Sequence, residues 1–156
     1  LAPPPHGRGA ALSNMLEETP MLRFPLLAAF AMTAVFPPPA TAAGNPISVH
    51  VLNLQDGLPS PGIQVTLERL DHGQWTALER GTTNAQGRIS ALYPDGKALE
   101  KGTYRVVFKT GAWFAEHKTA TFFPEVPVIF EVDGSLPHYH IPLLLSPFGY
   151  SVYRGN

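Results

Sequence analysis

From Ile47 onward the apolar residues recur at every second position rather than at the 3.6-residue spacing of a helix. Ile47, Val49 and Val51 alternate with Ser48, His50 and Leu52. After the turn-rich stretch Asp56 to Gly62, Ile63, Val65 and Leu67 alternate with Gln64, Thr66 and Glu68. Tyr104, Val106 and Phe108 form a third series, Val126, Val128, Phe130 and Val132 a fourth, and Tyr139, Ile141, Leu143 and Leu145 a fifth. Successive strand side chains point to opposite faces, so each series is the buried side of one half-buried strand. Turn chemistry separates them, as in Asn84-Ala85-Gln86-Gly87 and Ser146-Pro147-Phe148-Gly149. The pattern predicts an all-β antiparallel sandwich of seven to eight strands, with one short helix around Ala112 to Glu116 and neither repeat nor linker.

The alternation does not reach the first 42 residues. Residues 1 to 20 carry no pattern and include Pro3-Pro4-Pro5, which predicts an unstructured upstream segment. From Met21, Arg23 supplies a positive charge, Phe24 to Phe36 is uncharged and apolar, and Pro37 to Pro39 precede Ala40-Thr41-Ala42. A basic start, a short apolar run and a small-x-small site are the three parts of a secretory signal peptide. The run is shorter than the roughly 20 residues a membrane span needs. A core helix is opposed by Pro25 and the triple proline. Met21 is preferred to Met15 as the start because Glu17 and Glu18 would spoil the leader's charge. The expectation is a signal peptide over 21–42, a mature domain over 43–156, export to the periplasm, and no membrane association after cleavage.

Composition narrows the function classes. One domain of this length, in a chain that is 44% hydrophobic, buries a core large enough to fold unaided. The net charge of −1 comes with no basic patch for nucleic acid. With no cysteine there is no disulfide framework, thiolate zinc site or cysteine nucleophile.

The same alternation sorts the polar residues. If Ile47, Val49 and Val51 face the core, His50 faces away. If Tyr139, Ile141, Leu143 and Leu145 face the core, His138 and His140 share the outer face with Pro142 and Leu144. On the last strand Ser151, Tyr153 and Gly155 share one face, and Tyr150, Val152 and Arg154 the other. A lone outer histidine is most simply a solvated one, and Arg88 after its turn an ordinary exposed arginine. His138-x-His140 has the spacing of half a metal site, but no Glu or Asp is placed beside it to complete one. The set carries more weight than any member.

Five blocks, "HVLNLQDGLPSPGIQVTLERL", "TTNAQGRI", "GTYRVVFKTGAWF", "TFFPEVPVIFEV" and "HYHIPLLLSPFGYSVYRGN", resemble the 5-hydroxyisourate hydrolases, the transthyretin-like enzymes of urate breakdown. The resemblance runs from about Ile47 to the last residue, with the blocks in the family's order. It implies a transthyretin-like fold of two four-stranded sheets, and a homotetramer built as a dimer of dimers with a channel through it. By position it makes His50, Arg88 and His140 catalytic and assigns substrate binding to His50, Arg88 and Tyr153. It implies no metal and no cofactor. Asn53 replaces a common Asp, which bears only on a turn, and Asn156 replaces the usual terminal Ser, which puts any role for a terminal hydroxyl in doubt.

The implied reaction is hydrolysis of 5-hydroxyisourate to 2-oxo-4-hydroxy-4-carboxy-5-ureidoimidazoline by attack of water at C6 and opening of the N1–C6 bond. His50 and His140 would be the general base and its partner, in either order. Arg88 would hold the oxyanion, and Tyr153 would close the channel around the ring. The alternative is a transthyretin-like carrier of small aromatic ligands. A carrier needs an open apolar channel, in which buried ionisable groups are costly.

Overall fold

The computed structural model describes residues 44–156. The upstream segment read over 1–20 and the leader read over 21–42 lie outside the described residues. In chain order the elements are β1 (Ile47–Asn53), β2 (Gln64–Asp71), β3 (Gln74–Thr82), β4 (Arg88–Ile89), β5 (Gly102–Phe108), α1 (Thr110–Glu116), β6 (Val126–Val132), β7 (Tyr139–Ser146) and β8 (Gly149–Val152). The strands make two four-stranded sheets, ordered β4-β1-β7-β8 and β3-β2-β5-β6.

Each of the five alternating series turns its apolar members inward. Ile47, Val49 and Val51 of β1 are fully buried, as are Leu143 and Leu145 of β7, and Tyr139 and Ile141 lie with them in one core cluster. Val65, Leu67, Tyr104, Val106, Phe108, Val126 and Val132 come from the facing sheet. The two inner faces interdigitate as in other β-sandwiches. Truncating Leu143 to alanine in such a core costs about 2–5 kcal/mol.

Three features depart from the alternation. β1 and β7 pair in parallel, Val49 opposite Ile141, while the other strand pairs are antiparallel. Alternation fixes which face a side chain takes, but carries no information about the direction of the neighbouring strand. β3 escapes the pattern because it is an edge strand in which no residue is fully buried. β8 stops at Val152, so Tyr153 lies just beyond the last strand rather than within it. The ladder resumes as a single bridge between His140 and Gly155.

The helix begins at Thr110, two residues before the predicted start, and buries Trp113 and Phe114. The Trp113 indole donates to the Pro61 carbonyl at 2.7 Å, tying the helix to the β1–β2 loop. Asn53 ends β1 opposite Leu145, and its side chain serves the loop: the side-chain oxygen accepts from the Gln55 amide at 3.0 Å, and the carbonyl accepts from Gly57 at 2.8 Å.

Candidate active site

The outer face of the β4-β1-β7-β8 sheet gathers the residues singled out by alternation. Arg88 of β4 sits opposite His50 of β1, and His50 sits opposite Pro142 of β7. The β7–β8 register, with Leu144 opposite Ser151 and His140 opposite Gly155, brings Tyr153 opposite Pro142. Arg88, His50, Pro142 and Tyr153 therefore form one row across the sheet. His140 lies one step along, opposite Ser48.

Local structure fixes each end of the row. Arg88 follows a tight turn in which the Asn84 side-chain oxygen accepts from the amides of Gln86 and Arg88, both at 2.9 Å. Gly87 has φ +68°, and a Cβ there would meet the Val51 carbonyl oxygen at 2.4 Å. A side chain at that position would push the turn off β1 and carry Arg88 with it. At the other end, a Cβ on Gly155 would lie 2.4 Å from Cδ2 of His140. The absence of a side chain at 155 is what lets the carboxyl-terminal segment close over the His140 ring.

Three imidazoles stand nearly parallel. His50 and His140 have ring centroids 6.5 Å apart at 26°, and His138 and His140 are 6.4 Å apart at 22°. Ser48 lies between the last two, its Oγ 2.8 Å from His138 Nε2 and 2.7 Å from His140 Nδ1. His138 Nδ1 donates to the Asn45 carbonyl at 2.8 Å. Those contacts occupy both nitrogens of His138. Among the described residues no group of three or more His, Cys, Asp or Glu is placed to hold a metal ion.

The electrostatics favour neutral imidazole. Burial lowers the His50 pKa below its ordinary 6.5 and the Arg88 charge lowers it further, against a hydrogen bond to the Gln86 backbone. For His140 burial again comes first, then the charges of Arg88, His138 and His50, opposed by a hydrogen bond to the Ser48 backbone. Among the described residues Arg88 forms no ion pair. A fixed positive charge beside two uncharged bases can hold an anion or a developing oxyanion while accepting a proton from water.

This face is a wall rather than a pocket. A cleft of about 350 Å³ at the β6 and β8 edges reaches His140, Tyr153 and Arg154, but His50 and Arg88 do not line it. Arg88 and Tyr153 are exposed, and His50 and His140 half-buried. The structure thus brings His50, Arg88, His140 and Tyr153 to one surface, and Arg154, which parity assigns to the opposite face, to the cleft. Alternation missed Ser48. Its parity with His50 was readable, but only the parallel β1–β7 register puts a serine between two histidines 90 and 92 residues away.

Residues 47–155 match the model of the HIUase/Transthyretin family. A 5-hydroxyisourate hydrolase from Salmonella typhi is 50% identical over 137 residues, covering 87% of this chain and all of that protein. Among solved structures, 5-hydroxyisourate hydrolase from Klebsiella pneumoniae aligns at 37% identity with a TM-score of 0.61, over 70% of this chain and 98% of that one. Transthyretin from Sparus aurata aligns at 29% identity with a TM-score of 0.66, over 70% of this chain and 96% of that one. Backbone shape does not separate hydrolase from transthyretin, whereas sequence identity does.

Proposed function

The chain belongs to the HIUase/Transthyretin family, and from that premise we propose that it is a hydrolase that opens the ring of 5-hydroxyisourate in urate catabolism. The observation that carries the reading is the row formed by Arg88, His50 and Tyr153 with His140 beside it. Neutral bases and a guanidinium with no carboxylate partner among the described residues suit hydrolysis of a cyclic amide, and are costly in the apolar channel of a carrier.

In the reaction water attacks the C6 carbonyl and the N1–C6 bond breaks, giving 2-oxo-4-hydroxy-4-carboxy-5-ureidoimidazoline. The two histidines take the water proton and return it to the departing N1. Arg88 binds the substrate oxygens and holds the charge that develops on the C6 oxygen, and Tyr153 closes on the ring. No metal or organic cofactor takes part. The direct test is to generate 5-hydroxyisourate with uricase and follow its ultraviolet absorbance. The protein should accelerate the decay, and an unchanged decay would remove the hydrolase reading.

Assembly completes the site. A half-exposed wall excludes water only when a second wall faces it, and the same face carries half-buried Leu52 and Leu144, with exposed Leu54 and Leu58 in the loop that follows β1. Such an apolar continuation suits packing against another copy. The reading is a homotetramer, a dimer of dimers with the catalytic faces lining its channel. Leu144→Glu should lower both mass by light scattering and turnover, and a fully active dimer would contradict it. The leader over 21–42 implies a periplasmic protein, and intact mass of the exported chain should show cleavage near Ala42–Ala43.

A further inference from the structure

We propose that Ser48 and His138 are positioning residues that lock His140 in the tautomer protonated on Nδ1, making His140 Nε2 the proton acceptor of the site. The catalytic meaning of this relay rests on the hydrolytic reading above, while its hydrogen-bond logic stands apart from it.

The direction of the relay follows from what each group can donate. The Asn45 carbonyl only accepts, so His138 Nδ1 carries a hydrogen. A neutral His138 then has a bare Nε2, which faces Ser48 Oγ at 2.8 Å. The hydroxyl has one hydrogen and gives it to that nitrogen. Its oxygen is left as an acceptor 2.7 Å from His140 Nδ1, which must therefore be N–H. Neutral imidazole carries a single N–H, so His140 Nε2 is a bare lone pair. The opposite tautomer would set the serine lone pairs against the lone pair of Nδ1.

The relay is anchored at its far end. The Asn45 side chain donates to the Tyr93 carbonyl at 2.7 Å and accepts from the amides of Tyr93 and Ile47 at 3.0 and 3.2 Å. Ser48 is 8% exposed, which leaves little room for water to compete for its hydroxyl. Gly155 confines the ring from the carboxyl-terminal side. When water attacks C6, its proton passes to His140 Nε2 and then to N1 as the N1–C6 bond breaks. Nδ1–H keeps donating to Ser48 throughout. Ser48 and His138 neither accept nor release that proton, and their role is to keep Nε2 empty and aimed.

Imidazole ¹⁵N NMR of the full mature protein at mildly alkaline pH tests the relay, with the His140 signals assigned by their loss in His140→Asn. The expected result is a protonated Nδ1 and an unprotonated Nε2. In Ser48→Ala this preference should disappear, and kcat should fall about 10²-fold with KM changed by less than about threefold, since a misplaced tautomer removes base function rather than binding. Ser48→Thr, which keeps the hydroxyl, should restore both. His138→Gln, which keeps an acceptor for the serine hydrogen, should retain more turnover than His138→Leu. A wild-type ring protonated on Nε2 would overturn the relay, as would a Ser48→Ala enzyme with native tautomer and native kcat. The tautomer readout needs no turnover, so failure to consume 5-hydroxyisourate refutes the hydrolase reading and an Nε2–H ring refutes the relay.

Discussion

The two outer faces of the sandwich spend their polar residues in opposite ways. On the β3-β2-β5-β6 sheet, three cations find carboxylates within the chain, while exposed Arg80 has none among the described residues and stands beside no histidine. Arg105 pairs with Glu68 and lies 4.3 Å from the centre of the Trp75 ring, and Arg69 pairs with Asp71 and Glu100. Lys109, just past β5, pairs with Glu125. On the β4-β1-β7-β8 sheet, no carboxylate answers Arg88 among the described residues, and two histidines have lowered pKa values. An exposed lone cation such as Arg80 is satisfied by water, and the remaining pairs on that face are satisfied within the chain. A face carrying an unanswered cation beside neutral bases is complementary to something else, and for this chain that is an anionic, oxygen-rich ring.

Crossed substitutions break the comparison most sharply. Arg88→Gln and His50→Asn should each lower turnover by about 10²-fold or more, with the melting temperature nearly unchanged because neither residue is in the core. Arg105→Gln should do the reverse, leaving turnover intact and costing about 1 kcal/mol of stability through its half-buried pair and its stacking on Trp75. Steady-state kinetics and thermal melts on the three variants decide the matter. Loss of activity in Arg105→Gln, or unfolding in Arg88→Gln, would erase the division between the faces.

Proton titration sharpens it further. His50 and His140 have folded pKa values below their ordinary 6.5, so the unfolded chain binds protons first as pH drops. Their neutral forms therefore contribute stability that is fully present above 6.5 and is lost as pH falls through the lowered values. Turnover should fall over the same acid window, because protonated imidazole cannot accept from water. Arg88 is the second cause of lowering for both rings, after burial. Arg88→Gln should thus move both titration midpoints upward in NMR, and unmoved midpoints would remove Arg88 from the causes.

What the sequence made legible follows the same division. Burial leaves a periodic trace, so the inner faces of β1, β2, β5, β6 and β7 are readable from apolar residues two apart. Outer-face histidines are readable by subtraction from that trace. β3 left no trace because its edge position buries no side chain fully. The parallel pairing of β1 with β7 was unreadable for a different reason: it joins segments some 90 residues apart and is set by the path of the whole chain. Ser48 depends on that pairing. A serine acquires meaning here from the two rings it touches, and nothing in its own neighbourhood announces them.

Gly155→Ala probes that same closeness with a smaller effect. The added methyl would fall 2.4 Å from His140 Cδ2 and 3.1 Å from Pro142 Cγ. The backbone needs no left-handed conformation at 155, so the cost falls on ring position rather than on strain. Relieving that contact takes about an ångström, shared between the ring and the segment around 155, and in a site that depends on alignment kcat should fall about tenfold, with little change in melting temperature. Native kcat in this variant would mean that the ring swings aside without consequence, and that its orientation is looser than the Ser48 contact implies.

The smallest effect is expected at the last residue. Asn156 is exposed, and its side chain makes no hydrogen bond to any described residue. The carboxyl-terminal segment is fastened one position earlier, where the Gly155 amide donates to the His140 carbonyl at 3.0 Å. Nothing among the described residues holds the Asn156 side chain in one geometry, and an exposed side chain without a partner is poorly suited to a fixed role. An amide and a hydroxyl differ in reach and in donor geometry, so if the terminal side chain did contact substrate, the exchange would be felt. Asn156→Ser should instead change kcat/KM by less than about tenfold, under the roughly 1.4 kcal/mol that a defined hydrogen bond in the transition state would represent. Steady-state kinetics on the single variant is the check. A rise of two orders of magnitude on introducing the serine would show that the catalytic face extends to the end of the chain, and that the asymmetry between the two sheets is greater than the present residues account for.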